Sequence, residues 1–79
     1  MRIDLFLKEA RIIKRRTIAK EYCFRGLVLI NGKIAKPSSE VLDLDVVNVT
    51  FGDKNYDVIA HITKVGKKER AEYERVESK

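Results

Sequence analysis

The sequence predicts an α+β fold in which two short helices pack on a small, mostly antiparallel β-sheet. Three observations predict it: apolar residues spaced three or four apart near the N-terminus, an Asn-Gly pair between two apolar segments, and alternating apolar and polar residues in DVVNVTF. The 79 residues carry neither an internal repeat nor a domain linker. We therefore expect one small domain with a modest core.

The first helix is predicted from about Asp4 to Lys14, with Asp4 as its N-cap. Apolar residues at helical spacing predict its buried face. They are Ile3, Phe6, Leu7, Ala10 and Ile13.

A second helix is predicted to begin at Thr17, whose hydroxyl suits an N-cap. Its buried face consists of Ala19, Tyr22 and Cys23, and Gly26 is the residue just beyond its end. The two helices are therefore expected to be short and separated at Thr17.

The rest of the domain is predicted to be a sheet. Asn31-Gly32 predicts a two-residue type I′ hairpin turn, and Pro37-Ser38-Ser39 predicts a loop. A strand follows over 45–51, then a tight turn at Gly52-Asp53 and a strand over about 54–62. We expect residues 1–64 to form the domain. The polar tail, residues 65–79, carries alternating charge signs and is expected to be a short exposed helix or a frayed end.

Positive charge is concentrated in the first half of the chain. Residues 1–36 hold ten Lys/Arg against three Asp/Glu, whereas residues 37–79 hold seven against nine. The first half is therefore the predicted anion-binding half. Lys14, Arg15 and Arg16 stand directly before the second helix, where free backbone N–H groups also attract phosphate. Arg16 and Lys20, four apart, share a helix face.

Several function classes are disfavoured by composition. No apolar run approaches the roughly 18 residues needed to cross a membrane, and no signal peptide is visible, so a cytoplasmic protein is expected. A single cysteine, Cys23, excludes an internal disulfide. Cys23 and the single histidine, His61, are 38 positions apart, so no metal site, cofactor or catalytic pair is predicted.

The run RIDLFLKEARIIKRRTIAKEYCFRGLVLINGKIAKPSSEV resembles the RNA-binding domain first defined in small-subunit ribosomal protein S-four, the αL motif, over about residues 1–51. Within that superfamily, the opening R-hydrophobic-D-x-F-L-K and the later I-K-R-R-T-x-A-K-E are similar to the RqcP family of ribosome-associated quality control. A more distant resemblance is to the small ribosome-associated heat-shock protein. The turn Leu42-Asp43-Leu44-Asp45 departs from the P-G-D turn of many relatives, because it contains neither Pro nor Gly.

The resemblance implies a non-catalytic, monomeric protein that binds a large ribosomal subunit obstructed by peptidyl-tRNA. It would contact rRNA and P-site tRNA and support C-terminal tailing by an RqcH-like factor. The implied RNA-contacting residues are Arg2, Arg11, Lys14, Arg15, Arg16 and Lys20. Arg2 and Arg16 are expected to matter most.

Other readings stay open at this point. A heat-shock-type factor would bind structured RNA or recycle stalled subunits, but the tail lacks the long basic extension of that branch. An enzyme is disfavoured because the module fills the chain, and a helix-turn-helix DNA regulator because Lys20 and Arg25 are the few base-reading side chains of the second helix. A protein-interaction module would use Phe24 and the hairpin. Core or sheet packing is favoured for Phe24, Phe51 and Tyr56, and base stacking on Tyr22 or Phe24 stays open.

Overall fold

A computed structural model describes residues 1–76 as two α-helices followed by five β-strands. The α+β prediction is confirmed. The elements are α1 (Ile3–Glu9), α2 (Arg16–Phe24), β1 (Val28–Ile30), β2 (Lys33–Ile34), β3 (Val46–Phe51), β4 (Lys54–Val65) and β5 (Lys68–Val76).

The five strands form one sheet in the order β2-β1-β3-β4-β5, with every neighbouring pair antiparallel. β4 and β5 form its longest hairpin, paired from Val65 and Lys68 to Asp57 and Val76. The expectation of a helix or frayed end was therefore wrong for residues 68–76. Their alternation is that of a strand, because Ala71 is buried while its neighbours on both sides are exposed. Residues 77–79 lie outside the described residues.

α1 is shorter than predicted, and Asp4 is not its N-cap. The N-cap is Arg2, whose side chain makes no capping hydrogen bond within residues 1–76. The amides of Ile3 and Asp4 instead donate to the backbone carbonyls of Ser39 (2.8 Å) and Pro37 (3.4 Å). The loop before β3 therefore satisfies the first two amides of the helix, and the Asp4 carboxylate accepts from the third, that of Leu5.

α2 begins at Arg16 with Arg15 as N-cap, so the prediction of a Thr17 cap was wrong. Its predicted end is confirmed, because Gly26 follows the helix with φ of 73°, a conformation that glycine adopts without strain. α1 and α2 pack on the sheet around one core. That core contains Ile3, Phe6, Leu7, Ala10, Ile13, Ala19, Cys23, Val28, Ala35, Val41, Val47, Val49, Val58, Ala60 and Ala71.

Two turns connect the strands that matter for the site. Asn31 (φ 50°) and Gly32 (φ 84°) take the two positive φ angles that a type I′ turn needs, which confirms the predicted hairpin. In the second turn, Asp45 Oδ2 accepts from the Leu42 amide at 2.8 Å and Asp43 Oδ1 accepts from the Ile62 amide at 2.8 Å. The two aspartates thus organise a turn in which Leu44 has φ of 70°.

Candidate nucleic-acid interface

A fully buried carboxylate lies between two arginines at the junction of α1 and α2. Asp4 is 0% exposed, and its Oδ2 accepts from Arg2 Nη2 at 3.1 Å while its Oδ1 accepts from Arg16 Nη2 at 3.4 Å. The amide of Leu5 donates to the same Oδ1 at 2.7 Å. A buried carboxylate must be paired, and here both partners are basic side chains with solvent access.

The two arginines keep donors for a ligand. Their side chains are 49% and 41% exposed, and each uses one Nη2 for Asp4. Each guanidinium has five N–H donors in a fixed plane, so several face away from this bond. Among the described residues, Arg16 Nε is buried and bonds to no protein atom. The cluster of Arg2, Asp4 and Arg16 thus carries one net positive charge on two oriented guanidinium groups.

Backbone pairing fixes Arg2 in position. Arg2 forms an isolated antiparallel bridge with Glu40, and the Val41 amide donates to the Met1 carbonyl at 2.8 Å. The N-terminal ammonium lies 3.5 Å from the Glu40 carboxylate. Arg2, one of the two residues expected to matter most, is therefore held by the loop before β3.

The start of α2 offers a second set of anion donors. Arg15 has extended backbone, and its side chain makes no capping hydrogen bond in the part of the chain that the structure describes. Lys14 and Arg15 are exposed beside it, and Lys20, one turn into the helix, is half-buried. An uncapped helix start with adjacent cations is the arrangement that attracts phosphate.

A shallow groove extends from Arg2 to the first hairpin. Arg2, Phe24, Ile34 and Lys36 all line it. Phe24 is 78% exposed, so the expectation that it packs in the core or on the sheet was wrong. Phe51 and Tyr56 do pack as expected, with ring centroids 6.1 Å apart. The basic surface is therefore continuous with exposed apolar side chains.

Comparison with known proteins decides the family. Residues 1–47 match the S4 domain model. The chain is 47% identical over 72 residues to the RQC P-site tRNA stabilizing factor of Bacillus subtilis, which covers 90% of this chain and 84% of that protein. It is 43% identical to the factor of the same name from Halalkalibacterium halodurans, over 90% of this chain and 82% of that protein. The chain belongs to the family of RQC P-site tRNA stabilizing factors.

A solved structure agrees with this family and with the fold. The trimeric Heat Shock Protein 15 of Vibrio cholerae superposes with a TM-score of 0.78 and 27% identity, covering 96% of this chain and 81% of that one. The two resemblances read from the sequence are thereby confirmed. The RNA-binding character of the domain follows from the family, and no His, Cys, Asp or Glu cluster suited to a metal occurs within residues 1–76. No helix in that range is long and apolar enough to cross a membrane.

In this member of the family, the six predicted RNA contacts are not all brought together. Arg2 and Arg16 meet on Asp4, and Lys14, Arg15 and Lys20 lie along the start of α2. Arg11 instead lines a cavity over the sheet with Tyr73 and Arg75, a cavity that neither Arg2 nor Arg16 lines. Sequence reasoning missed the role of Asp4. The available signal was an aspartate directly beside the apolar positions of an N-terminal helix.

Cys23 lies at the same helix junction and is unreactive by environment. Burial, and after it the negative charge of Asp4, together raise the pKa of its thiol from 9.0 to about 11. The thiol is therefore neutral at physiological pH and acts as a small apolar core residue, as predicted.

Proposed function

We propose that this chain is a non-catalytic factor that holds P-site tRNA on a large ribosomal subunit obstructed by peptidyl-tRNA. It contacts rRNA and tRNA through Arg2, Arg16, Lys14, Arg15 and Lys20, and Arg11 contacts RNA from the neighbouring cavity. By holding the tRNA, it supports C-terminal tailing of the stalled chain by an RqcH-like partner. The protein acts as a cytoplasmic, ribosome-associated monomer.

The observation that carries this proposal is the cluster of Arg2, Asp4 and Arg16. Guanidinium groups bind phosphate oxygens through paired N–H donors, and binding is strongest when the donors are already oriented. Asp4 orients two of them, one at the start of each helix, at 3.1 and 3.4 Å. A phosphate backbone that follows a folded RNA surface offers successive charges to such a pair.

The start of α2 supports the same ligand. Its free amides and the exposed Lys14 and Arg15 add an anion site beside Arg16. The names of the relatives, which refer to P-site tRNA in ribosome quality control, give the RNA its identity in this proposal. Recognition through backbone phosphates suits a protein that holds structured RNA in place without chemistry.

A second function is favoured by the likeness to Heat Shock Protein 15 of Vibrio cholerae. In that case the same basic surface would bind large subunits or structured RNA generally and assist recycling of stalled subunits. The two functions differ in whether bound peptidyl-tRNA improves binding. This difference determines the experiment.

The test is co-sedimentation with purified large subunits, with and without peptidyl-tRNA, at several salt concentrations. The proposed function expects preferential retention on obstructed subunits and weaker retention of Arg16→Ala, with a slope of log affinity against log salt that is shallower by roughly 0.7 to 0.9. Lys64→Gln, an exposed cation in β4, is the control and should behave as the native protein. Equal retention on both subunits would favour the recycling function, and no retention at low salt would refute both.

A further inference from the structure

A cavity of about 170 Å³ lies between the turn after α1 and the outer end of the sheet. Eight residues from this turn and from β3, β4 and β5 line it. Its apolar floor is formed by Ile12, Val49 and Val58. It lies outside the cluster of Arg2, Asp4 and Arg16.

The cavity has the size of one planar ring system. Drug-sized ligands occupy pockets of about 300 Å³ or more, whereas a cavity of about 150 Å³ holds one benzene ring. A purine or pyrimidine base, entering from the open side, matches this volume better than a peptide segment or a duplex. The ligand is therefore expected to be a single group and not an extended surface.

Aromatic side chains form the walls. Phe51 stacks obliquely on Tyr56, with ring centroids 6.1 Å apart, and Tyr22 supports Phe51 from behind at 5.4 Å. Tyr73 lines the cavity from β5 and is exposed. Nucleobases stack on such rings with little dependence on sequence.

The cavity is also basic. Arg11 and Arg75 line it, and the Arg75 guanidinium lies 4.8 Å from the centre of the Tyr56 ring. Side chains alternate along β5, so Tyr73 and Arg75 share a face while Glu74 lies on the other, where it bonds to His61 at 3.1 Å. All eight lining residues are apolar, aromatic or basic, so the cavity favours a ring attached to a negatively charged group.

The backbone at Arg11 is a second, independent observation. Arg11 has φ of 64° at the end of α1, the position at which glycine most often ends a helix. A side chain in this conformation is disfavoured by contact with its own backbone. The chain therefore carries a guanidinium at the cavity mouth where backbone geometry alone favours glycine.

We propose that this cavity binds one unpaired nucleotide of RNA, with its base stacked on Tyr73 and its phosphate on Arg11 and Arg75. The identity of the ligand as RNA rests on the proposed function. The site itself is separate from the Asp4 cluster. It would give the protein a second RNA contact, made by a base that has left its helix.

The test titrates ¹⁵N-labelled protein with adenosine 5′-monophosphate, followed by NMR shifts of backbone amides and arginine Nε groups. We expect the nucleotide to cause shifts centred on Tyr73, Arg75 and Arg11. Ribose 5-phosphate should bind roughly 5- to 100-fold more weakly than the nucleotide, because it lacks the stacking base. Equal binding of ribose 5-phosphate, shifts confined to α2, or no shifts at saturating nucleotide would each overturn the proposal. If N-acetyl-phenylalaninamide bound more strongly than the nucleotide, the occupant of the cavity would be a protein side chain and not RNA.

Four variants keep the site testable without loss of the fold. Arg11→Gly relieves the backbone and is expected to weaken nucleotide binding roughly 3- to 10-fold through loss of one phosphate contact. Arg75→Gln should weaken it similarly, and Arg70→Gln, in the same strand but outside the cavity, should not. Arg16→Ala separates the two proposals, because it should lower ribosome retention and leave nucleotide shifts at Tyr73 intact. If Arg11→Gly and Arg75→Gln bind the nucleotide as well as Arg70→Gln does, the site is refuted.

Discussion

Arg16 and Asp4, twelve residues apart in sequence, form an ion pair of 3.4 Å that joins α2 to α1. Asp4 is fully buried and Arg16 is 41% exposed, so the pair runs from the core to the surface. A residue proposed to bind RNA is thus also one that holds the two helices together. RNA affinity and fold stability are therefore expected to be coupled at this position.

The first prediction concerns Asp4→Asn, which removes one negative charge and so makes the net charge of the protein more positive by one. We nevertheless expect RNA and large-subunit binding to weaken, by about 3- to 10-fold, because a neutral amide orients the two guanidinium groups less firmly. The free energy of unfolding should fall by about 1 to 3 kcal/mol, since a charge-assisted network inside the core is lost while its arginines remain partly solvated.

Binding to obstructed subunits in a salt series, together with urea unfolding, measures both effects. Asp57→Asn, which removes an exposed carboxylate in β4, supplies the charge-matched control. If positive charge alone governed binding, Asp4→Asn would bind at least as tightly as Asp57→Asn. That result would remove the orienting role assigned to Asp4.

The second prediction separates geometry from charge at position 16. Arg16→Lys keeps the charge, so the salt dependence of binding should stay as in the native protein. Affinity should still fall roughly 3- to 10-fold, because an ammonium cannot bond to Asp4 and present a planar pair of donors at once. Filter binding to structured RNA across salt concentrations tests this, with Lys64→Arg as the reverse control. If Arg16→Lys bound RNA with native affinity, the planar pair of guanidinium donors would not be needed for binding.

Much of the fold was predictable because its signals are local. The apolar spacing near the N-terminus and the Asn31-Gly32 turn both report on neighbouring residues. The predicted buried residues and the predicted hairpin are confirmed, although α1 ends at Glu9 and not at Lys14. The strand β5 was missed because its pattern of charges was read as a polar tail. Its period of two, with Ala71 buried and Tyr73 on the same face, is the signal that identifies it.

The site was less predictable because it depends on contacts that are distant in sequence. The pairing of Asp4 with Arg16 needs the α1–α2 packing, and the anchoring of Arg2 needs the loop at Glu40. Local propensity gives Asp4 the N-cap position, whereas in the folded chain Asp4 lies within the first turn. There the Ser39 and Pro37 carbonyls accept from the first two amides, and Asp4 accepts from the Leu5 amide. The basic residues of the site could therefore be named from the sequence, but which of them meet in the folded chain could not.

The third prediction concerns the turn before β3. Leu44 is exposed with φ of 70°, a conformation that costs a branched side chain about 1 to 2 kcal/mol. Leu44→Gly should relieve this strain and, after the larger entropy loss of glycine, raise the free energy of unfolding by about 0.5 to 1 kcal/mol. Leu42→Gly, at an exposed position outside the positive-φ region, should lower it by a similar amount. Urea unfolding of both variants checks this, and equal changes in the two would contradict it.

The fourth prediction concerns Cys23. The pKa of its thiol is raised from 9.0 to about 11, first by burial and then by the charge of Asp4. The thiolate is the reactive form, so the folded protein at about pH 8 should contain roughly 100-fold less of it than the unfolded chain. Reaction with a disulfide reagent, followed spectroscopically with and without urea, should show at least this difference in rate. A fast reaction of the folded protein would mean that the thiol is accessible and ionised.

The same shift gives stability a defined pH dependence. Because the folded pKa lies above the unfolded one, the unfolded chain loses its proton first, and the stabilisation is complete below about pH 9 and is lost as pH rises toward about 11. Cys23→Ala removes this contribution but keeps the other groups that titrate in that range. The free energy of unfolding of the native chain should therefore fall more steeply than that of Cys23→Ala between these pH values. If the free energies of unfolding of the two proteins fell in parallel with pH, the pKa of the Cys23 thiol would not be raised by folding.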